Sequence, residues 1–131
     1  SLMPHAFIGV DVMVGVRGET PELFNESKNF ISSLDVSQLH VFTYSERAGT
    51  KALEIPYIVP IVERKRRNAI LQKISDEKLE KFYNENKGRK EYVLWEDSKN
   101  KKIMSGFSGN YIKVEAPYNA DMINTFTEVI L

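Results

Sequence analysis

Residues 7–14, Phe-Ile-Gly-Val-Asp-Val-Met-Val, are apolar almost without interruption. A run lacking polar alternation predicts a strand covered on both faces, as in a parallel sheet. A turn over residues 15–20, Gly-Val-Arg-Gly-Glu-Thr, follows. Thr20 suits an N-cap, Pro21 the first helical position and Glu22 the first turn. Leu23, Phe24, Ser27, Phe30, Ile31 and Leu34 recur at three- and four-residue spacings and predict a helix over 21 to about 33 with one apolar stripe. After a return loop at 35–38, residues 39–44, Leu-His-Val-Phe-Thr-Tyr, read as a second strand. The three elements make a right-handed parallel βαβ unit. Residues 45–50 leave it as a polar loop, and 51–60, with Pro56 and Pro60, form an extended connector. A helical pattern then runs from Ile61 to about Lys87, with Ser75 and Asp76 marking a candidate break. Val62, Ala69, Ile70, Ile74, Leu79, Phe82 and Tyr83 supply its apolar side. Gly88 stops it.

Beyond Gly88 the texture changes to short strands. Residues 90–96, 102–107, 111–115 and 125–130 are strand candidates, separated by turn clusters at 97–101, 108–110 and 117–120. Even spacing of this kind predicts a small antiparallel barrel. The class is therefore α+β in three parts: residues 1–58, a βαβ piece; 59–87, a connector helix; and 88–131, a small β-barrel. One βαβ unit cannot complete a parallel sheet. The first part is expected to be a slice of a wider one, with both sheet edges left unpaired.

The chain has 131 residues, of which 42% are hydrophobic, enough to bury a core. It has no cysteine, which excludes disulfides, thiolate metal sites and cysteine nucleophiles within it. Two histidines, His5 and His40, are too few for a histidine-rich metal centre and read as structural. No apolar run spans a bilayer and no signal-peptide pattern opens the chain, so no membrane contact and a cytoplasmic setting are expected. The net charge of zero hides segregation. Residues 61–113 carry 14 Lys/Arg against 8 Asp/Glu, while both ends are acidic. A basic middle can serve a polyanion, but on charge alone a solvated helix face is the favoured reading. Arg64, Lys65, Arg66 and Arg67 cluster at a helix start, where they oppose the dipole, so something other than helix stability favours them.

In α/β sheets ligands lie beyond the carboxyl ends of the strands, which selects the loops 15–20 and 45–50. Gly15 and Gly18 would let backbone approach a ligand, or they only permit a tight turn. Glu19 is a ligand-binding carboxylate or a first-turn dipole partner. Asp11, in an apolar strand, needs a partner or a shifted pKa. It faces a barrel interior or sits at a strand edge. In the last third, Tyr92, Trp95, Phe107 and Tyr111 alternate with Lys90, Lys101, Lys102 and Lys113. Small barrels bind nucleic acid through such stacking aromatics and a basic groove, and some of the aromatics must instead fill the core.

Taken as a set, the motifs resemble one family. Val14-Gly15-Val16-Arg17-Gly18-Glu19-Thr20 resembles the VGFPGET segment of radical S-adenosylmethionine methylthiotransferases, and residues 40–50, His-Val-Phe-Thr-Tyr-Ser-Glu-Arg-Ala-Gly-Thr, resemble their HVFPYSERPGT. Val59-Pro60 with Arg67 and Leu71 is similar to the helix that follows. Residues 106–114, Gly-Phe-Ser-Gly-Asn-Tyr-Ile-Lys-Val, resemble the GxTxNYxxV signature of the TRAM domain, an OB-like RNA-binding barrel. Val16-Arg17 and Ala48 depart from the family's prolines, which relaxes both loops.

The resemblance implies that the chain is the C-terminal part of such an enzyme. It would hold the last βαβ unit of a TIM-like barrel, a linker helix and the TRAM domain, with the N-terminal domains as its missing partner. The intact enzyme would use S-adenosylmethionine and two 4Fe-4S clusters to add a methylthio group at an adenine C2. The loop sequences look most like the subgroup acting on N6-threonylcarbamoyladenosine in tRNA. The isopentenyladenosine and ribosomal-protein subgroups share the architecture. Met13, Gly15, Glu19, Phe42 and Tyr44 match the adenosylmethionine pocket. Asn110, Tyr111 and Lys113 match the tRNA-binding signature, joined by Lys90, Lys101 and Lys102. The chain alone is expected to bind no cluster, bind RNA weakly, catalyse nothing and shield residues 7–44 by self-association or partner contacts. The other readings are a self-contained RNA-binding module and a small α/β enzyme working through Asp11 and Glu19, for which no base–nucleophile pair is visible.

Overall fold

The computed structural model describes residues 2–131. The chain divides into two compact units: Ile8–Lys81, and the residues before Ile8 together with Phe82–Leu131.

In the first unit, β1 (Gly9–Val14) and β2 (Gln38–Thr43) pair in parallel, Asp11 opposite His40 and Met13 opposite Phe42. Between them lies α1 (Pro21–Ser33), which starts as its sequence predicts: the Leu23 N–H donates to Thr20 Oγ1, and Pro21 occupies the first turn. One sheet face is packed. Val14, Phe24 and Leu71 form a buried cluster, flanked by Val12, Val41, Ile31, Ile70 and Ile74. The other face is bare. Asp11 and His40 are exposed there, and Met13 and Phe42 are about half exposed. The apolar run therefore does not mean a strand covered twice within this chain. Asp11 needs no buried partner, because it lies on the open face.

A long helix, α2 (Ile61–Asn86), covers the packed side and continues into the second unit at Phe82. It is unbroken at Ser75 and Asp76. Ser75 is buried, and its hydroxyl accepts from the Leu39 N–H and donates to the Leu39 carbonyl. Asn68 Nδ2 donates to the Val41 carbonyl and Thr43 Oγ1. Side chains of α2 thus satisfy the outer edge of β2, which corrects the expectation that both sheet edges are unpaired. On β1 no second ladder forms among the described residues.

In the second unit β3 (Lys90–Glu96), β4 (Ile103–Ser108), β5 (Lys113–Pro117) and β6 (Phe126–Ile130) form an antiparallel sheet in the order β5-β4-β3-β6. No ladder joins β5 to β6 among the described residues, so the expected closed barrel is a half-barrel sheet. Alternation sorts its faces. Val93, Trp95 and Met104 are buried, with Val114, Ala116, Val129, Tyr118, Met122 and Ile123 around them. Trp95 Nε1 donates to Thr127 Oγ1 at 2.7 Å, which satisfies the buried indole. The opposite face carries Tyr92, Leu94, Phe107 and Phe126, with Leu94 between Phe107 and Phe126 across the ladders.

Candidate functional site

The carboxyl ends of β1 and β2 open into a pocket of about 350 Å³, lined by Met13, Phe42, Thr43, Tyr44, Ser45, Arg47, Thr50 and Ala52. Three of the five residues predicted to hold a cofactor, Met13, Phe42 and Tyr44, come together there. Met13 and Phe42 offer apolar surface able to receive a flat ring, and Arg47, Ser45 and Thr50 add polar groups to the lining. The Tyr44 hydroxyl is buried and has no hydrogen-bond partner among the described residues. A pocket lined by both apolar side chains and polar groups fits an adenosine-bearing amino acid. For an iron–sulfur cluster the chain offers no thiolate, and no group of His, Asp and Glu suited to a metal ion forms among the described residues.

Gly15 and Glu19 point elsewhere. Glu19 folds back onto its own loop, its carboxylate accepting from the Gly15 N–H at 2.8 Å and from Arg67 at 2.7 Å. Arg67 also donates to the Glu19 carbonyl and to Glu63. Gly15 takes φ +76°, a left-handed conformation, and a Cβ there would collide with the Arg64 side-chain stem. Arg64 continues into the second loop. Its guanidinium donates to the carbonyls of Val59 and Tyr44 and bidentately to Glu46, at 2.9 and 2.6 Å, and lies 5.4 Å from the Tyr44 ring centre. Arg17 joins from the first loop, donating to the carbonyls of Leu53 and Ile55. Hydrogen bonds from Arg64 hold the Glu46 carboxyl down at about 2, and those from Arg66 and Arg67 hold Glu63 at about 2.

Arg64 and Arg67 are buried, so these two members of the basic cluster are not a surface for a polyanion. Their role was not legible as a site, yet the signal was present: charge placed against the helix dipole had to have another purpose.

In the second unit the predicted RNA residues divide. Asn110 is a brace. Its carbonyl accepts from the Ser108 hydroxyl, and its amide donates to Asn86 Oδ1 and the His5 carbonyl, at 2.7, 3.0 and 3.1 Å. Tyr111 turns through φ +66° with its ring two-thirds exposed, packed against Phe7 and Phe107. Three lysines are paired with neighbouring carboxylates: Lys90 with Glu128, Lys101 with Asp97 and Lys113 with Glu115. Lys102 is exposed and has no ion pair among the described residues. Phe126, 67% exposed and missed by the motif reading, extends the aromatic face.

No family model matches the chain. Known relatives do. It is 37% identical over 86 residues to the threonylcarbamoyladenosine tRNA methylthiotransferase MtaB of Aquifex aeolicus, covering 66% of this chain and 21% of that protein. It is 30% identical over 131 residues to MtaB of Bacillus subtilis, covering 97% and 29%. Over a similar span it is 35% identical to a tRNA-2-methylthio-N(6)-dimethylallyladenosine synthase of Baumannia cicadellinicola, covering 98% and 29%. The chain spans less than a third of the length of these curated relatives. It belongs to the tRNA methylthiotransferase family. Within that family it is similar to both the MtaB type and the dimethylallyladenosine type.

Proposed function

We propose that this chain is the C-terminal part of a cytoplasmic radical S-adenosylmethionine tRNA methylthiotransferase acting on N6-threonylcarbamoyladenosine. Residues 1–58 are read as the last βαβ unit of its TIM-like barrel, 59–87 as the connector and 88–131 as an RNA-gripping TRAM domain. The observation that carries the proposal is the convergence of Met13, Phe42 and Tyr44 on one pocket at the sheet's carboxyl edge, in a chain whose relatives bear methylthiotransferase names. S-adenosylmethionine, when bound with a cluster held by residues outside this chain, supplies the radical chemistry. The chain's own residues have simpler tasks. Met13 and Phe42 give a flat ring an apolar seat and displace water from it. Tyr44 adds to the lining beside them. Arg47, Ser45 and Thr50 receive the polar end. On the half-barrel, Tyr111, Tyr92, Phe107 and Phe126 provide π-faces on which unstacked bases rest, and Lys102 provides a free cation for phosphate.

The test is nucleoside mass spectrometry of tRNA from cells lacking the full-length gene and complemented with it. Recovery of 2-methylthio-N6-threonylcarbamoyladenosine supports the assignment. Recovery of the isopentenyladenosine product instead transfers the chain to the other subgroup, and recovery of neither overturns the function. The chain alone is expected to restore nothing.

A further inference from the structure

We infer that Arg64 is a positioning residue of the cofactor pocket, setting Tyr44 and the loop after it from behind, while Arg67, on the same face of α2, fixes the neighbouring loop 15–20. The inference rests on the adenosylmethionine reading of that pocket. Residues 15–20 and 45–50 are not bonded to one another by any backbone ladder. An Arg17–Glu46 ion pair at 3.7 Å spans them at the surface, and the helix holds each from behind. Arg67, 1% exposed, takes hold of the first loop through both the carbonyl and the carboxylate of Glu19. Arg64, 4% exposed, takes hold of the second through the Tyr44 carbonyl and both oxygens of Glu46. The two arginines are three residues apart and so lie on one face of the helix.

The Arg64 stem also occupies the space beneath Gly15. The same side chain therefore limits how deep the first loop sits and where the second begins. Tyr44, whose ring Arg64 overlies, is the pocket residue most directly held. Neither arginine lines the pocket. Each acts on a ligand only through the residues it holds. A planar guanidinium suits this work, because its rigid fork bonds both oxygens of Glu46 while Nε, on its other edge, reaches the Val59 carbonyl, a fixed spread of donors that the compact ammonium of lysine does not provide.

The experiment uses the full-length holoprotein, with S-adenosylmethionine and unmodified tRNA as separate probes. Arg64→Lys keeps the charge and loses the fork. Glu46→Gln is isosteric and removes the carboxylate from the other side. Each variant is expected to weaken S-adenosylmethionine binding by roughly tenfold or more, to raise its KM more than it lowers kcat, and to leave tRNA affinity and the helical circular dichroism unchanged. Native adenosylmethionine affinity in either folded variant overturns the positioning role. So does parallel loss of both affinities, which marks general damage. If Arg64→Lys fails to fold, Glu46→Gln decides alone, and failure of both to fold reduces the arginines to structural residues and also overturns the role. A native protein that binds no S-adenosylmethionine overturns the pocket reading itself, an outcome visible before any variant is made.

Discussion

Gly15 shows how a single backbone position can serve a charge network. Its left-handed φ costs a β-carbon-bearing residue on the order of 1 kcal/mol, and the Arg64 stem fills the space where that carbon would go. Gly15→Ala is expected to destabilise the first unit by roughly 1–3 kcal/mol in urea denaturation, since strain and overpacking add. Glu46 and Glu63 make a second residue-scale prediction. Their carboxyl groups titrate at about 2 in the folded chain, against an ordinary 4.5. The folded pKa is depressed, so their contribution to stability is fully present above pH 4.5 and is lost as pH falls from 4.5 towards 2. Acid titration followed by near-ultraviolet circular dichroism should show this loss, and Glu46→Gln with Glu63→Gln should reduce its slope. Asn110 belongs at this scale too. Its motif position marked it for RNA, yet its amide is committed to Ser108, Asn86 and His5. Asn110→Ala is expected to lower stability by about 1–3 kcal/mol, measured by thermal melting, since it leaves part-buried partners unpaired.

At the scale of elements, α2 carries the first unit. Its apolar residues Ile70, Leu71 and Ile74 pack beneath the sheet, while Asn68 and Ser75 bond the outer edge of β2. Ser75 looked like a break because serine is a modest helix former whose hydroxyl competes for backbone groups. Here that hydroxyl instead replaces a missing strand. Ser75→Ala removes both bonds to Leu39 and is expected to cost about 1–3 kcal/mol, with hydrogen exchange accelerated first at Leu39. The strand pattern of β3 was legible as alternation, but not its direction. Val93 and Trp95 turn inward because they meet Met104, Val114 and Val129 from three other strands, a fact absent from β3 itself.

Across the whole molecule two surfaces stand open. The bare face of β1 and β2 exposes Met13 and Phe42. Light scattering on the isolated chain is expected to show self-association through it, and a strict monomer with residues 7–44 well ordered would count against this. The half-barrel face is aromatic, yet its charge is balanced. Residues 88–131 carry 6 Lys/Arg and 6 Asp/Glu. RNA affinity should therefore come more from stacking than from charge. The dependence of log K on log salt is expected to be shallow, about −0.7 per phosphate neutralised on single strands. Lys102→Ala should flatten it more than Lys101→Ala, because Lys101 already serves Asp97. Equal effects, or none with RNA bound, would remove Lys102 from the interface.

Local order was written in the sequence: the Thr20 cap, the stripe of α1, the two parallel strands, the length of α2 and the four short strands all follow from periodicity and turn chemistry acting over a few residues. The tertiary structure decided which faces are covered and which charges are spent. Arg67 meets Glu19 across 48 positions, and Arg64 meets Glu46 across 18. Such pairs have no period for a linear pattern to reveal. Coulomb attraction and hydrogen bonding depend on distance in space, and only the packed chain sets that distance.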